Sequence, residues 1–226
     1  MVRRSEGYAT SATLERKAGR WLRDVRSAVA PRPRLALDPR RCALLVVDML
    51  RYFADPAGRC FLPAAAAIVP NVSSLIAAWR RIGAPVLYTR HCHAGPHDLG
   101  MLGRFFSDYI RQGEPDSEIV AALAPARGEP VVRKTTYDAF LGTRLESLLR
   151  RRKAAQILIC GVLTHMCCET TARAAFCRGF EVYVPVDAVA SSDEEHHLAS
   201  LLNMADAVAI VTSVEEVRAR CGVNGS

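Results

Sequence analysis

The sequence has no uninterrupted apolar run close to the roughly 20 residues that a membrane-spanning helix needs, so we expect no association with a membrane. Residues 1–25 are polar and charged and lack the apolar centre of a signal peptide, which predicts a cytoplasmic protein. No two of the eight cysteines form a C-x-x-C pair. The cysteines are therefore expected to be reduced thiols, neither disulfide-bonded nor ligands of a structural zinc ion.

Lysine is also scarce, since only Lys17, Lys134 and Lys153 are lysines among 30 basic residues, which leaves 27 arginines. The net charge of +7 does not indicate a nucleic-acid partner, because the basic side chains are scattered and no RNA- or DNA-binding motif is present. A small molecule is the expected partner, with some preference for an acidic one. Because arginine replaces lysine almost everywhere, Lys134 indicates a position that needs a compact amine with an adjustable pKa.

Short apolar runs alternate with helical patterns from residue 42 onward, in a chain of 226 residues of which half are hydrophobic. The apolar runs predict six strands buried on both faces, at 42–48, 84–90, 130–134, 155–161, 180–187 and 207–211. Helical spacing between them predicts helices at 64–82, 115–124, 142–152, 165–178 and 194–205. This alternation predicts a three-layer α/β fold, with a six-stranded parallel sheet between two layers of helices.

The first part of the chain is different in character. Apolar positions at helical spacing predict an amphipathic helix over 12–28, and the prolines at 31, 33 and 39 predict an extended lead-in after it. We therefore expect an N-terminal helix with a proline-rich lead-in at 1–39 and one α/β domain at 40–226. The long irregular segment at about 91–114 is expected to be functional.

Reactive side chains follow three of the predicted strands at the points where the strands end. Asp48 follows the first strand, Lys134 closes the third, and Cys167 and Cys168 lie shortly after the fourth. Each alone has an ordinary alternative, as a helix cap, a surface charge or a packing thiol. Because ligands of a parallel sheet bind beyond the carboxyl ends of its strands, the three together form a carboxylate, amine and thiol set suited to nucleophilic catalysis.

The two adjacent cysteines raise the question of which one reacts. A thiol at a helix N-terminus lies where backbone N–H groups and the helix dipole stabilise a thiolate. Cys167 and Cys168 point about 100° apart around a helix, so both cannot face one pocket equally. Cys167 is nearer the start of the helix and is slightly favoured, whereas burial of both as packing residues is the alternative.

The motifs LLVVDMLRYF, VVRKTTYDAF and ICGVLTHMCCETTARAAF occur in this order over about residues 40–214, followed by VPVDAVAS. In this combination the sequence resembles the isochorismatase-like cysteine hydrolases, which include nicotinamidases, N-carbamoylsarcosine amidohydrolases and isochorismatases. The resemblance implies a Rossmann-like fold with six parallel strands and assigns residues 40–226 to a hydrolase domain. The resemblance also implies a homodimer or homotetramer, and it implies that the protein needs no cofactor.

Carried over motif by motif, the resemblance implies that Asp48, Lys134 and Cys167 form the catalytic triad and that Cys168 packs. It implies a cis peptide bond before Leu163 and an oxyanion hole formed by the N–H groups of Leu163 and Cys167. The residues expected to contact substrate are Phe53, His91, His93, Tyr137 and His165.

The stretch after the second strand departs from the nicotinamidases in this group. Those enzymes bind a metal ion through an Asp-x-His pair and a further histidine, whereas here His91 takes the place of the aspartate, with His93 and His97 after it. Three histidines could bind a metal ion. The loss of the aspartate nevertheless favours a polar pocket wall without metal and argues against nicotinamide as the substrate.

Two chemical functions remain open. With Cys167 as nucleophile, the protein would hydrolyse a small amide, carbamoyl or ureido compound through a thioester. In the alternative, Asp48 would protonate a vinyl ether, as implied by the likeness of DMLRYF, the proline-rich lead-in, Tyr137 and Phe140 to isochorismatases. The retained cysteine favours the first function. An inactive interaction module is a third alternative, which the loss of any triad residue would support, and none is lost.

Overall fold

The computed structural model describes residues 7–32 and 34–222. Residues 1–6, Pro33 and residues 223–226 lie outside the described residues, so the predictions that include them are tested only in part. None of the described helices is long and apolar enough to cross a membrane.

The described chain folds around one parallel sheet with helices on both sides, as the alternating pattern predicts. Its strands are β1 (Cys42–Val47), β2 (Val86–His91), β3 (Val131–Lys134), β4 (Gln156–Val162), β5 (Glu181–Pro185), β6 (Val189–Ala190) and β7 (Ala209–Thr212). The order is β3-β2-β1-β4-β5-β7, and β6 pairs with β4. The six predicted strands are confirmed. The two-residue β6 is an addition, because so short a strand leaves no periodic pattern.

The strand order reverses between β1 and β4, which lie side by side at the centre of the sheet. Every residue of both strands is buried, as their continuous apolar sequences require. At the carboxyl end of this pair Gly161 has a φ of 115°, and a Cβ atom there would lie 2.0 Å from the Val47 carbonyl oxygen. Only glycine fits this close approach, and it brings the ends of β1 and β4 together at the point where ligands of such sheets bind.

Five of the six predicted helices are present close to their predicted positions, and three short helices that no pattern predicted are added, at 51–54, 102–105 and 214–220. The helices are α1 (Leu14–Ala28), α2 (Arg51–Ala54), α3 (Pro63–Arg81), α4 (Leu102–Phe105), α5 (Leu145–Arg151), α6 (Glu169–Cys177), α7 (Glu194–Ala207) and α8 (Val214–Arg220). Side chains cap two of these helices. The Asp193 carboxylate accepts a hydrogen bond from the His196 N–H at the start of α7, and the Ser213 hydroxyl accepts one from the Glu216 N–H at the start of α8. These caps satisfy backbone N–H groups that the first turn of a helix leaves open.

The prediction of a helix at 115–124 is wrong. This segment forms two separate 3₁₀ turns, at 115–117 and 121–123. Between them its backbone bonds to the chain after β1: the Arg51 N–H donates to the Glu118 carbonyl at 2.8 Å, and the Val120 N–H donates to the Met49 carbonyl at 3.0 Å. Backbone groups used in this way are not available for a continuous helix.

Helix α1 packs against α7 and β7. Four apolar residues of its inner face are buried, as the helical spacing predicts: Leu14, Ala18, Trp21 and Val25. Glu194 at the start of α7 accepts hydrogen bonds from Lys17 at 2.7 Å and from the Trp21 indole at 2.8 Å. The N-terminal helix is therefore held to the described part of the α/β unit by both apolar and ionic contacts.

Candidate active site

Four strand ends bring one reactive side chain each to the same place. Asp48 follows β1, His91 ends β2, Lys134 ends β3, and Cys167 lies in the turn that follows β4. One ligand-type atom each from Asp48, His91 and Cys167 lies within 4.8 Å of the others. The structure therefore brings together the three residues that the sequence selects and adds His91 to them.

The Lys134 ammonium lies at the centre of this cluster. Its Nζ atom is 2.8 Å from Asp48 Oδ2, 3.1 Å from Cys167 Sγ and 3.3 Å from His91 Nδ1, and it donates to the Thr136 carbonyl at 2.8 Å. Burial alone would lower the pKa of this amine, but the nearby Asp48 carboxylate and Cys167 sulfur more than offset that effect and raise it. Lys134 is therefore a fixed positive charge. Arg133 beside it is exposed, as strand alternation predicts.

Asp48 is held as a carboxylate by its neighbours. It is fully buried and has a φ of 49°, which turns the chain sharply at the end of β1. The Thr89 hydroxyl donates to Oδ1 at 2.6 Å and accepts from the Asp48 N–H at 3.1 Å. Burial would raise the pKa of Asp48, but the charge of Lys134 lowers it below its usual value.

The surroundings of the Cys167 thiol favour its protonated form. Burial raises its pKa to about 12, and the adjacent Asp48 carboxylate adds to this, while Lys134 acts in the opposite direction. The expectation that a helix start would stabilise a thiolate stays a prediction, and burial of the Cys167 side chain acts against it. Cys168 is completely buried, and burial raises its pKa further still.

The chain between β4 and α6 forms a widened turn. Residues 164–168 are a π-helical turn, in which the Leu163 carbonyl accepts from the Cys168 N–H at 3.1 Å. In an α-helix the Cys167 N–H would make that bond. The peptide bond between Val162 and Leu163 is cis. No hydrogen bond from the Leu163 N–H to another described residue is present.

The two histidines after β2 form a hydrogen-bonded chain leading away from Lys134. His91 Nε2 lies 3.2 Å from His93 Nε2, and His93 Nδ1 lies 3.1 Å from the Asp98 carbonyl. Since Lys134 can only donate, the network assigns the proton of His91 to Nε2. Burial and the charge of Lys134 lower the pKa of His91 to about 3, so the ring is neutral.

These histidines do not form a metal site in the described structure. The only group of three or more potential metal ligands among residues 7–32 and 34–222 is Asp48, His91 and Cys167. Its donor atoms surround the Lys134 ammonium, and a second cation there would be repelled. His97 does not join His91 and His93 in such a group. The residues present therefore do not fit the metal ion that the nicotinamidase pattern implies.

The other predicted substrate residues lie in three different places. Tyr137 lines a cavity of about 470 Å³ beside Lys134. Phe53 is partly buried and packs edge-on against Tyr52, with ring centroids 4.9 Å apart. His165 hydrogen-bonds through Nδ1 to the Ser191 hydroxyl and lies against His196, on the side of α7. Among the described residues, no hydrogen bond joins His165 to Asp48, Lys134 or Cys167.

Sequence analysis missed Thr89, Thr136 and Asp98. Thr89 had a signal in the sequence, because it is a polar residue directly after the apolar run at 86–88 of β2. Thr136 acts through its backbone carbonyl, which no side-chain pattern reveals. Asp98 accepts from the Ala94 N–H at 3.1 Å and pairs with Arg133, but its loop has no periodic pattern that could identify it.

A family model described as an isochorismatase domain matches residues 42–216. The chain belongs to the isochorismatase family. The fold is similar to that of a cysteine hydrolase from Pseudomonas syringae pv. phaseolicola, which superimposes with a TM-score of 0.80 at 31% identity, covering 83% of this chain and 95% of that one.

Relatives of this isochorismatase-family chain have names that state different activities. Nicotinamidase 3 of Arabidopsis thaliana is 40% identical over 179 residues, which cover 78% of this chain and 86% of the relative. The isochorismatase of Bacillus subtilis is 31% identical over 168 residues, which cover 73% of this chain and 53% of the relative. The names of these relatives thus include both a nicotinamidase and an isochorismatase.

Proposed function

We propose that this protein hydrolyses a small carboxamide through a thioester on Cys167. The observation that carries the proposal is the position of Lys134 Nζ, 3.1 Å from the Cys167 sulfur and 2.8 Å from the Asp48 carboxylate. A nucleophile, a base and a fixed positive charge in contact are the components that covalent acyl transfer requires.

The first half of the reaction uses the thiol and the carboxylate together. Asp48 accepts the Cys167 proton, and the Lys134 ammonium stabilises the thiolate that forms. The sulfur attacks the amide carbon, and the resulting oxyanion accepts hydrogen bonds from the N–H groups of Leu163 and Cys167. Asp48 then protonates the leaving amine as the C–N bond breaks, which leaves an acyl thioester.

The second half restores the resting site. Asp48, again a carboxylate, removes a proton from water, and the resulting hydroxide attacks the thioester carbon. The C–S bond breaks, the carboxylic acid leaves, and the sulfur takes back the proton from Asp48. Lys134 keeps its charge throughout, so it stabilises both thiolate-forming steps without exchanging a proton.

Vinyl-ether hydrolysis is the second candidate, supported by the 31% identity to the isochorismatase of Bacillus subtilis. That reaction needs Asp48 as a proton donor. Lys134 lowers the pKa of Asp48 and so favours the carboxylate at neutral pH, which suits a base better than an acid. The 40% identity to nicotinamidase 3 makes nicotinamide the first amide to test, against the expectation drawn from His91.

Purified protein should be assayed for ammonia release from nicotinamide and other carboxamides, and for isochorismate consumption. We expect amide hydrolysis, an acyl adduct on Cys167 by intact mass after acid quench, and loss of both in Cys167→Ala. Cys168→Ala is the matched control and should retain the adduct. Isochorismate turnover that persists in Cys167→Ala, with no amide hydrolysed, would overturn the proposal in favour of the second candidate.

A further inference from the structure

A cavity of about 470 Å³ opens next to the reactive cluster, and we name it the mouth pocket. Eleven described residues line it, of which six carry the argument: Asp98, Met101, Phe105, Thr136, Tyr137 and Leu141. Its volume lies within the range of about 300–1,000 Å³ in which drug-sized ligands bind. A single pyridine ring with a carboxamide would leave much of it empty.

The mouth pocket adjoins the reactive cluster through its inner wall. The Thr136 carbonyl that belongs to this wall accepts from Lys134 at 2.8 Å. Burial raises the pKa of the neighbouring Tyr137, and the Cys167 sulfur raises it further, which places the phenol within electrostatic range of the nucleophile. A substrate carbonyl at Cys167 would therefore extend its remaining atoms into this pocket.

The outer wall of the mouth pocket exposes large apolar side chains. Met101 is 59% exposed, Phe105 is 76% exposed, and Leu141 is 64% exposed. Scattered apolar residues on a surface are normal, whereas a cluster around a concave site marks a place where a ligand is covered. The chemistry of these side chains suits a hydrocarbon or aromatic group.

The mouth pocket also offers no positive charge to an anion. None of its eleven described lining residues is lysine or arginine, and Asp98 contributes a carboxylate. Arg133, which contacts the lining residue Asp98, is already paired with that carboxylate. An anionic substrate body would lose water without gaining a counter-charge, which argues against the preference for acidic compounds that the net charge of +7 suggests.

Resting on the proposed amide hydrolysis, we propose that the mouth pocket binds the uncharged, apolar body of a carboxamide larger than nicotinamide. Met101, Phe105 and Leu141 set this preference by covering the apolar group. Because the described lining offers no unpaired positive charge, it does not compensate a carboxylate on the body of a substrate.

The test is a comparison of kcat/KM for nicotinamide, benzamide, para-butylbenzamide and para-carbamoylbenzoate. We expect para-butylbenzamide to exceed benzamide by about tenfold or more, since a buried alkyl group gives discrimination of this order, and para-carbamoylbenzoate to be the poorest. Phe105→Ala should lower kcat/KM for para-butylbenzamide much more than for benzamide, so that the advantage of the butyl group is lost. Phe106→Ala, whose side chain is the next along the chain but does not line the pocket, is the matched control.

A second variant tests whether the lack of a positive charge in the mouth pocket excludes a carboxylate, and it keeps the Phe105 side chain. Leu141→Arg should raise kcat/KM for para-carbamoylbenzoate relative to benzamide by about tenfold. A wild-type preference for the carboxylate-bearing amide, or an equal loss for all amides in Phe105→Ala, would overturn the proposal.

Binding measurements separate this proposal from the proposed function. Calorimetry with Cys167→Ala should show tighter binding of para-butylbenzamide than of para-carbamoylbenzoate. If that order holds but wild type hydrolyses neither amide, the mouth pocket proposal stands and the amide hydrolysis proposal fails. If the neutral amide does not bind, the mouth pocket proposal fails whatever the reaction is.

Discussion

The ammonium of Lys134 lies 2.8 Å from the carboxylate of Asp48 although both side chains are completely buried. Removing one partner of such a buried ion pair is strongly destabilising, because the remaining charge is still removed from water and no longer has a counter-charge. This pair also stands in contact with the Cys167 sulfur. Stability and chemistry are therefore joined in the same two residues, and variants of either should affect both.

Replacing Asp48→Asn should lower kcat by about 10²- to 10⁴-fold, because the base that removes the thiol proton is lost. It should also lower the free energy of unfolding by about 3–5 kcal/mol, since Lys134 remains buried without a counter-charge. Urea denaturation and steady-state kinetics measure the two effects. Asp55→Asn is the control: its ion pair with Arg51 is at the surface and is worth about 1 kcal/mol or less. An active Asp48→Asn would contradict its proposed role.

Lys134→Arg should reduce kcat on the order of 10²-fold, although it keeps the charge. A planar guanidinium cannot point at a carboxylate, a thiol, an imidazole and a carbonyl from one compact centre. Lys153→Arg is the matched control, because this lysine is exposed and far from any strand end that forms the site. Equal activity of the two variants would show that only the charge of Lys134 matters.

Alkylation should report the protonated state of the Cys167 thiol. Because burial raises its pKa to about 12, very little thiolate exists at pH 7, and the rate of reaction with iodoacetamide should rise about tenfold per pH unit above that. Exposed Cys177 should react first. Peptide mass mapping after brief treatment at pH 7 and pH 9 measures this order. Fastest modification of Cys167 at pH 7 would mean that the resting site holds a thiolate.

Acid should destabilise the protein between about pH 6.5 and pH 3 through His197. This ring is fully buried beside Trp21, with centroids 4.6 Å apart, and burial lowers its pKa to about 3. The unfolded chain binds a proton below about pH 6.5 and the folded chain does not, so the stability present above pH 6.5 falls by about 1.4 kcal/mol per pH unit as pH decreases.

Urea unfolding at pH 7, pH 6 and pH 5 measures this slope. In His197→Asn the free energy of unfolding should fall less steeply as pH decreases, by about 1 kcal/mol less per pH unit. The adjacent His196, which is exposed, provides His196→Asn as the control variant. Identical slopes in wild type and His197→Asn would assign the acid sensitivity to other groups, such as His91.

The sequence predicts this protein best where local pattern and tertiary environment agree. The apolar runs of β1 and β4 identify buried strands, and the positions of Asp48 and Lys134 at strand ends follow from them. The segment at 115–124 has a helical pattern, but its backbone bonds to residues 49–51 instead. Such pairing depends on contacts between distant parts of the chain.

The pKa of Cys167 illustrates a second limit. The sequence shows that the thiol precedes a helix, which favours a thiolate. The sequence does not show how completely the Cys167 side chain is buried, and burial is the largest influence on the pKa of the thiol. The contacts of Lys134 with His91 and with the Thr136 carbonyl are likewise products of the folded geometry, and no spacing rule in one sequence predicts them.

The burial of Lys134 in a chain with so little lysine has a practical consequence for labelling. The two other lysines, Lys17 and Lys153, are not fully buried, so amine-reactive reagents reach them in the folded protein. In a variant with Lys17→Arg and Lys153→Arg, the only side-chain amine left would be the one inside the cluster. The rate at which Lys134 is acylated would then measure how often the carboxyl edge of the sheet opens. A compound that binds there should slow this acylation, so ligands could be detected without any assay of turnover.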